Sequence, residues 1–261
     1  MTDTVYYCYA VTRPFDREVL PSLRGIGGAP VNAVAHGDLV ALTSPVSAEE
    51  FTEAGLQERL EDLDWLADVA RAHHAVVDEV ARHAAIVPLR LATVYREQAR
   101  VTEVLRSDEQ RLSEALDRLE GRFEWGVKVF APQQRQQEPA RAEQSSAASG
   151  RDYLRRRLDQ RNSREASLQK AEESAAAVDA ELADLAEARH RHRVLSSELT
   201  GTRDQNVLNV AYLVPVDDQE RFLRRFAELE EEHPGCSLQL SGPWAPYSFM
   251  PDQVEVAESG E

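Results

Sequence analysis

An α+β fold in two domains is what this sequence predicts, and three observations predict it. Short runs of aromatic and β-branched residues stand near both ends, long stretches between them repeat apolar residues at steps of three and four, and a polar segment with almost nothing to bury divides the chain. The 261 residues suffice for two modest cores, and a composition of 42% hydrophobic and 29% charged residues is that of globular protein.

Val5 to Val11 alternates tyrosine with small and β-branched residues ahead of a turn at Pro14, the pattern of a first strand. Leu23 to Pro30 then carries Gly25, Gly27 and Gly28. Their spacing fits neither the dinucleotide pattern GxGxxG nor a P-loop, and Pro30 removes an amide where a phosphate would need one, so nucleotide binding is not read here. Val31 to Ala35 and Leu39 to Thr43 flank a tight turn at His36-Gly37-Asp38. From Leu56 the period becomes helical: Leu56, Leu60, Leu63, Ala67, Ala70, His74, Val77, Ala81 and Ala84 form one stripe, widened by Leu66, Val69, His73, Val76 and Val80. Pro88 and its apolar neighbours end that helix. Ala99 to Leu119 is helical again, and Glu124 to Phe130 is expected to close the first domain, residues 1–131, as its last strand.

Residues 132–150 are expected to be a flexible linker, and residues 251–261 a disordered acidic tail. Between them lies a second domain, 151–250. Its first part, 151–200, is read as a helical arm in which Leu168, Ala171, Ala175, Val178, Leu182 and Leu185 make a narrow seam suited to a partner helix, with a phase slip after Leu185. One straight helix or a hairpin would both satisfy that pattern. In the second part, 201–250, strand, helix and strand follow over Val207 to Val214, Asp217 to Glu232 and Ser237 to Leu240. Gly242-Pro243-Trp244-Ala245-Pro246-Tyr247 then closes the core, its two prolines fixing the backbone around two large aromatics. Trp244→Ala is therefore expected to act through stability.

A net charge of −16 repels nucleic acid and anionic lipid, which leaves a protein partner. No apolar run approaches the ~18–20 residues that cross a bilayer, and the start lacks the pattern of a signal peptide, so a cytoplasmic chain is expected, with Cys8 and Cys236 as reduced thiols. No metal, cofactor or catalytic role is assigned. His73 and His74 are adjacent on a helix and diverge, His190 and His192 fall on an Arg-rich segment read as helical, and no GxSxG elbow is present.

Five blocks resemble the gas vesicle L/F family of accessory proteins: Tyr6 to Val11; His73 to Val80 running on to Ile86-Val87-Pro88-Leu89-Arg90-Leu91-Ala92-Thr93-Val94-Tyr95; Glu124 to Val129; Gly150 to Leu154; and Asn209 to Val214 with Ser241-Gly242-Pro243-Trp244-Ala245-Pro246-Tyr247-Ser248-Phe249. In the second block members read Leu-Pro-x-Arg-Phe-Gly-Thr. Pro88, Arg90 and Thr93 match, Leu91 and Ala92 depart, and Ala92 would be strained if the loop needs φ > 0 there. The resemblance implies a modified ferredoxin-like N-terminal domain and a C-terminal domain with long coiled-coil helices. It also implies a cytoplasmic, non-enzymatic protein associated with the gas vesicle, which binds the hydrophobic shell subunit and other accessory proteins and helps nucleate or build the vesicle. A minor structural component of the mature vesicle is the alternative. Pro88, Arg90, Thr93, Lys128, Tyr153, Trp244 and Tyr247 are the motif residues carried over as partner-binding or structural positions. A separate reading takes Arg90, Thr93 and Lys128 as the pocket of a small-anion sensor or degenerate enzyme.

Overall fold

The computed structural model describes residues 3–59, 61–132, 150–194 and 205–250. Residues 133–149 of the expected linker and the whole expected tail lie outside the described residues. The chain divides into two compact units, one formed by Met1–Glu124 with Pro243–Glu261 and the other by Trp125–Gly242. That division differs from the expected one: the motif around Trp244 belongs with the N-terminal half of the chain.

In the first unit, β1 (Thr4–Thr12) is the central strand. The hairpin β2 (Asn32–His36) and β3 (Leu39–Ser47) turns through Gly37-Asp38, with Gly37 at φ 53°. Two short helices follow, α1 (Ala48–Phe51) and α2 (Glu53–Arg59), then α3 (Leu63–Ala81), the short strands β4 (Ile86–Pro88) and β5 (Val94–Tyr95), and helices α4 (Gln98–Ser107) and α5 (Glu109–Leu119). The sheet order is β2-β3-β1-β4, with β5 pairing β1 further along, and the pairings of β1 and β2 are antiparallel throughout.

The register of β1 against β3 shifts between Cys8 and Ala10, so Tyr9 is a bulge residue, and Tyr7, Tyr9 and Ala10 all enter the core shared with Val69, Val76, Val77 and Val80 of α3. On the opposite face Cys8, Val11, Ala41 and Leu89 meet Val101 and Leu105 of α4 and Leu112 of α5 around a small apolar cavity. The glycine-rich stretch is explained by Tyr9. Its hydroxyl accepts from the Ile26 amide at 3.0 Å, and a Cβ on Gly25 would stand 2.0 Å from that hydroxyl oxygen.

Three helix expectations are corrected. The long helix expected from Leu56 restarts: α2 ends at Arg59, and Asp62 caps α3 by accepting from the Trp65 amide at 3.1 Å. The restart rotates the phase, so Leu63 is 75% exposed while Val69, His73, Val76, Val77 and Val80 form the buried line. The Ala99–Leu119 helix is two helices meeting at Asp108, which has φ −104° and ψ 12°. The third correction concerns the arm.

The second unit contains most of β6 (Arg122–Ala131), then α6 (Gly150–Ala183), β7 (Ala188–Arg191), β8 (Gln205–Pro215), α7 (Gln219–Glu232) and β9 (Ser237–Trp244). β6 does not close the first sheet; it lies inside a second one, ordered β7-β8-β6-β9. Its alternating Trp125, Val127 and Val129 share a core with Leu208, Val210, Tyr212 and Val214 of β8 and with Phe222, Phe226 and Leu229 of α7. The seam of α6 joins the same core through Ala175, Val178 and Leu182, so its apolar partner there is the unit's own sheet. The helix stops at Ala183, and Ala188 to Arg191 is a strand paired antiparallel to Val210–Leu213; the apparent phase slip is the end of the helix.

One buried carboxylate fixes α6, β7 and β8 together. Asp179 is 1% exposed; its Oδ1 accepts from the Tyr212 hydroxyl at 2.7 Å, and its Oδ2 accepts from Arg189 at 2.7 Å and also from Arg191. The arginine heads are partly open to water and Asp179 is not, which makes the consequences of removal unequal. Asp179→Ala strands chiefly the Tyr212 hydroxyl and is expected to cost about 2 kcal/mol. The double change Arg189→Ala with Arg191→Ala strands a buried charge and is expected to cost more, about 3 kcal/mol or above, in urea unfolding at pH 7.

Candidate functional site

The block from His73 to Tyr95 and the Pro243–Phe249 part of the last block fall in the first unit, around α3 and β1. Residues 89–93 form a tight turn clasped to β1. The Leu89 amide donates to the Tyr9 carbonyl at 2.8 Å, and the Cys8 amide donates to the Thr93 carbonyl at 2.8 Å. Inside the turn the Thr93 amide and hydroxyl both donate to the Arg90 carbonyl, at 3.3 and 2.8 Å. Ala92 holds φ 63°, the only non-glycine in the left-handed region among the described residues, and its amide donates to the Tyr7 hydroxyl at 3.1 Å. This is the strained alanine that the departure from the family pattern predicts.

The Tyr7 hydroxyl is in turn hydrogen-bonded to Nδ1 of His73, 2.9 Å away. Burial, and secondarily the neighbouring charge of His74, lowers the His73 pKa to about 4 against the opposing effect of a backbone contact with Leu89. His73 is therefore neutral at neutral pH. Burial likewise raises Tyr7, and it pushes the Cys8 thiol up to about 12. Cys8 is a buried free thiol and Cys236 a half-buried one.

The returning segment after Pro243 lies on the same helix. Tyr247 sets its ring edge-on to His74, with centroids 5.1 Å apart, and 6.1 Å from His73. Ala245 is 1% exposed, and burial raises the Asp78 carboxyl while His74, Arg82 and a hydrogen bond from the Ala245 backbone pull it down. Glu124 accepts both the amide and the hydroxyl of Ser248, at 2.8 and 2.7 Å, and Arg118 donates to the Phe249 carbonyl.

Of the residues singled out from sequence, Pro88, Arg90 and Thr93 come together in the clasped turn. Pro88 and Thr93 are buried, and the Arg90 side chain is exposed. Thr93 spends its hydroxyl on the turn itself. Lys128 is exposed on β6 of the other unit, and the side chain of Tyr153 lies outside the described residues. Tyr247 packs as described, but Trp244 is 42% exposed. The expectation that Trp244 serves the core is corrected; the buried members of that motif are Ala245 and Pro246. Tyr7, Glu124 and Ser248 lie within the sequence blocks, but their pairings were not legible there because the partners are distant in the chain. His73, set aside there as a divergent helix histidine, is a buried hydrogen-bond partner. Among the described residues no group of three or more His, Cys, Asp or Glu is arranged to hold a metal ion, and no helix is long and apolar enough to cross a membrane.

Fold and site together define a class: a two-unit α+β protein whose buried polar side chains clasp loops and returning chain to a strand and a helix. The family follows from comparison with known proteins. The model of the gas vesicle synthesis protein GvpL/GvpF family matches residues 5–251, and the chain belongs to that family. It is 48% identical to gas vesicle protein L of Streptomyces sp. (strain CB03234) over 99% of both chains, and 26% identical to gas vesicle protein F1 of Halobacterium salinarum over 96% of this chain and 94% of that one. The fold is similar to that of the crystal structure of gas vesicle protein GvpF from Anabaena sp. PCC7120, with a TM-score of 0.69 at 19% identity, covering 96% of this chain and 97% of that one. The family is one of gas vesicle formation and is not a known family of enzymes.

Two measurements test the clasp. Replacing Ala92 by glycine relieves the left-handed strain and is expected to raise the unfolding free energy by about 1 kcal/mol, while serine there is expected to give no such gain. For His73, the unfolded imidazole takes its proton near pH 6.5 and the folded one near 4. Stability from this group is therefore present above about pH 6.5 and lost as pH falls, by about 3 kcal/mol on reaching pH 4. His73→Leu is expected to flatten that portion of the stability–pH profile in denaturant melts, whatever it does to stability at pH 7.

Proposed function

We propose that this protein works in the cytoplasm as a gas vesicle assembly factor, binding the hydrophobic shell subunit alongside other accessory proteins and helping to nucleate or build the shell. The observation that carries the proposal is the family match across residues 5–251, reinforced by a relative 48% identical over essentially the whole chain. A shell subunit must cover its apolar surface before it polymerises, and a carrier needs an apolar group of its own on display. Trp244 fits that role: it is 42% exposed yet followed by the buried Ala245 and Pro246, so its backbone is already fixed and little entropy is lost on contact.

The modified ferredoxin-like reading of the first unit belongs to this proposal. Its support is the antiparallel order β2-β3-β1-β4 with β1 central and α3 between β3 and β4; 3-10 turns at Arg17–Ser22 and Ile26–Gly28 stand where a helix would join β1 to β2. A coiled-coil role for the arm would fall to the part of α6 before Ala171, where the described side chains are exposed or half-buried and Leu158 is 58% exposed. The shell-component alternative and the assembly role make different predictions for location. The intact chain is expected to capture the shell subunit in pull-downs and to be depleted from washed, mature vesicles. Trp244→Ala is expected to weaken capture while leaving the melting temperature within a degree or two. Stoichiometric retention in washed vesicles would favour the structural role, and no capture by the intact chain would remove the proposal.

A further inference from the structure

The sequence around β7 reads Arg189-His190-Arg191-His192-Arg193. A strand sends successive side chains to opposite faces. Arg189 and Arg191 turn toward α6, where both meet Asp179, so His190 lies on the other face. His192 shares that face: the His192 amide donates to the Asn209 carbonyl at 2.9 Å, which continues the β7 register one residue further. The two imidazole centroids are 4.9 Å apart with the rings inclined at 62°. β7 stands at the end of the sheet order, all four of its residues are exposed, and the residue opposite His190 is the small Ala211.

That spacing has a chemical meaning. Two imidazoles bound cis to one ion through metal–nitrogen bonds of about 2.0–2.1 Å hold their ring centroids about 4.5 Å apart at a right angle and about 5.2 Å apart at the tetrahedral angle. The observed separation falls between these limits. We propose that His190 and His192 form a two-imidazole chelate for a borderline divalent transition ion, Zn2+, Ni2+ or Cu2+, with water or a donor from a second molecule completing the coordination. The neighbouring guanidiniums of Arg189 and Arg191 are drawn to the opposite face by the buried Asp179, which turns their charge away from the ion. The site is independent of the assembly reading and of the family motifs.

Titration of the full chain with NiCl2 and ZnCl2 by calorimetry tests the proposal. One ion is expected to bind saturably, each of His190→Ala and His192→Ala to weaken it at least tenfold, and the double variant to abolish it, with thermal melts of the apo proteins unchanged. Electron paramagnetic resonance of the Cu2+-loaded chain is expected to show two nitrogen ligands, lost in the double variant. His83→Ala and His36→Ala, which remove histidines lying beside Glu79 and Glu109, are expected to change nothing. The proposal is overturned if the wild type shows no saturable binding, if the double variant binds as the wild type does, or if binding disappears with His83 or His36 instead.

Discussion

Because the first unit is built from both ends of the sequence, its last segment must be held by residues more than a hundred positions away. Glu124 does this with one carboxylate, receiving the amide and the hydroxyl of Ser248 while itself nearly buried. A carboxylate so placed is stable only when its lone pairs are occupied, and the segment needs a partner for its freed amide; each side's requirement is met by the other. Ala245 and Tyr247 then reach α3, and the Tyr7–His73 pair beneath them locks that helix to β1 and to the turn at Ala92. The clasp is continuous from the outermost segment to the central strand.

The strands rich in β-branched and aromatic residues and bounded by turn residues were legible in the sequence: β1, the β2–β3 hairpin, β8 and the start of β9 fall where that composition puts them. β4 and β5, three and two residues long, are too short to show a period. Alternation also marks β6 as a strand, but it cannot say which sheet receives it, since that depends on residues eighty positions further along. The same distinction holds for the seam of α6. Its periodicity states that one face is covered, and whether a helix or a sheet covers it is a tertiary fact.

The site shows a second kind of gap. Composition marked the Trp244 motif as one that closes the core, but aromatic size predicts burial only on average, and here the small Ala245 and the proline beside it go inward. The pairings that organise the site join Tyr7 to His73 and Glu124 to Ser248, and in the second unit Asp179 meets Tyr212. None has a local signature, because a tyrosine in a strand or an aspartate in a charged helix looks the same whether its partner is water or a buried side chain. Ala92 is the exception. A missing glycine in a pattern matched at Pro88, Arg90 and Thr93 pointed to a backbone conformation, and the backbone has it.

The discontinuity of the first unit bears on how the chain matures. During synthesis Trp125 to Gly242 emerges whole before Pro243 does, so the second unit has every residue it needs while the first still lacks the segment that covers α3. The unit that begins the sequence is thus the later one to be completed, and its closure joins contacts of very high sequence separation, the slowest kind to form. A chain ending before Pro243 would lack Ala245 and Tyr247, which reach α3, and Ser248, which fills the carboxylate of Glu124.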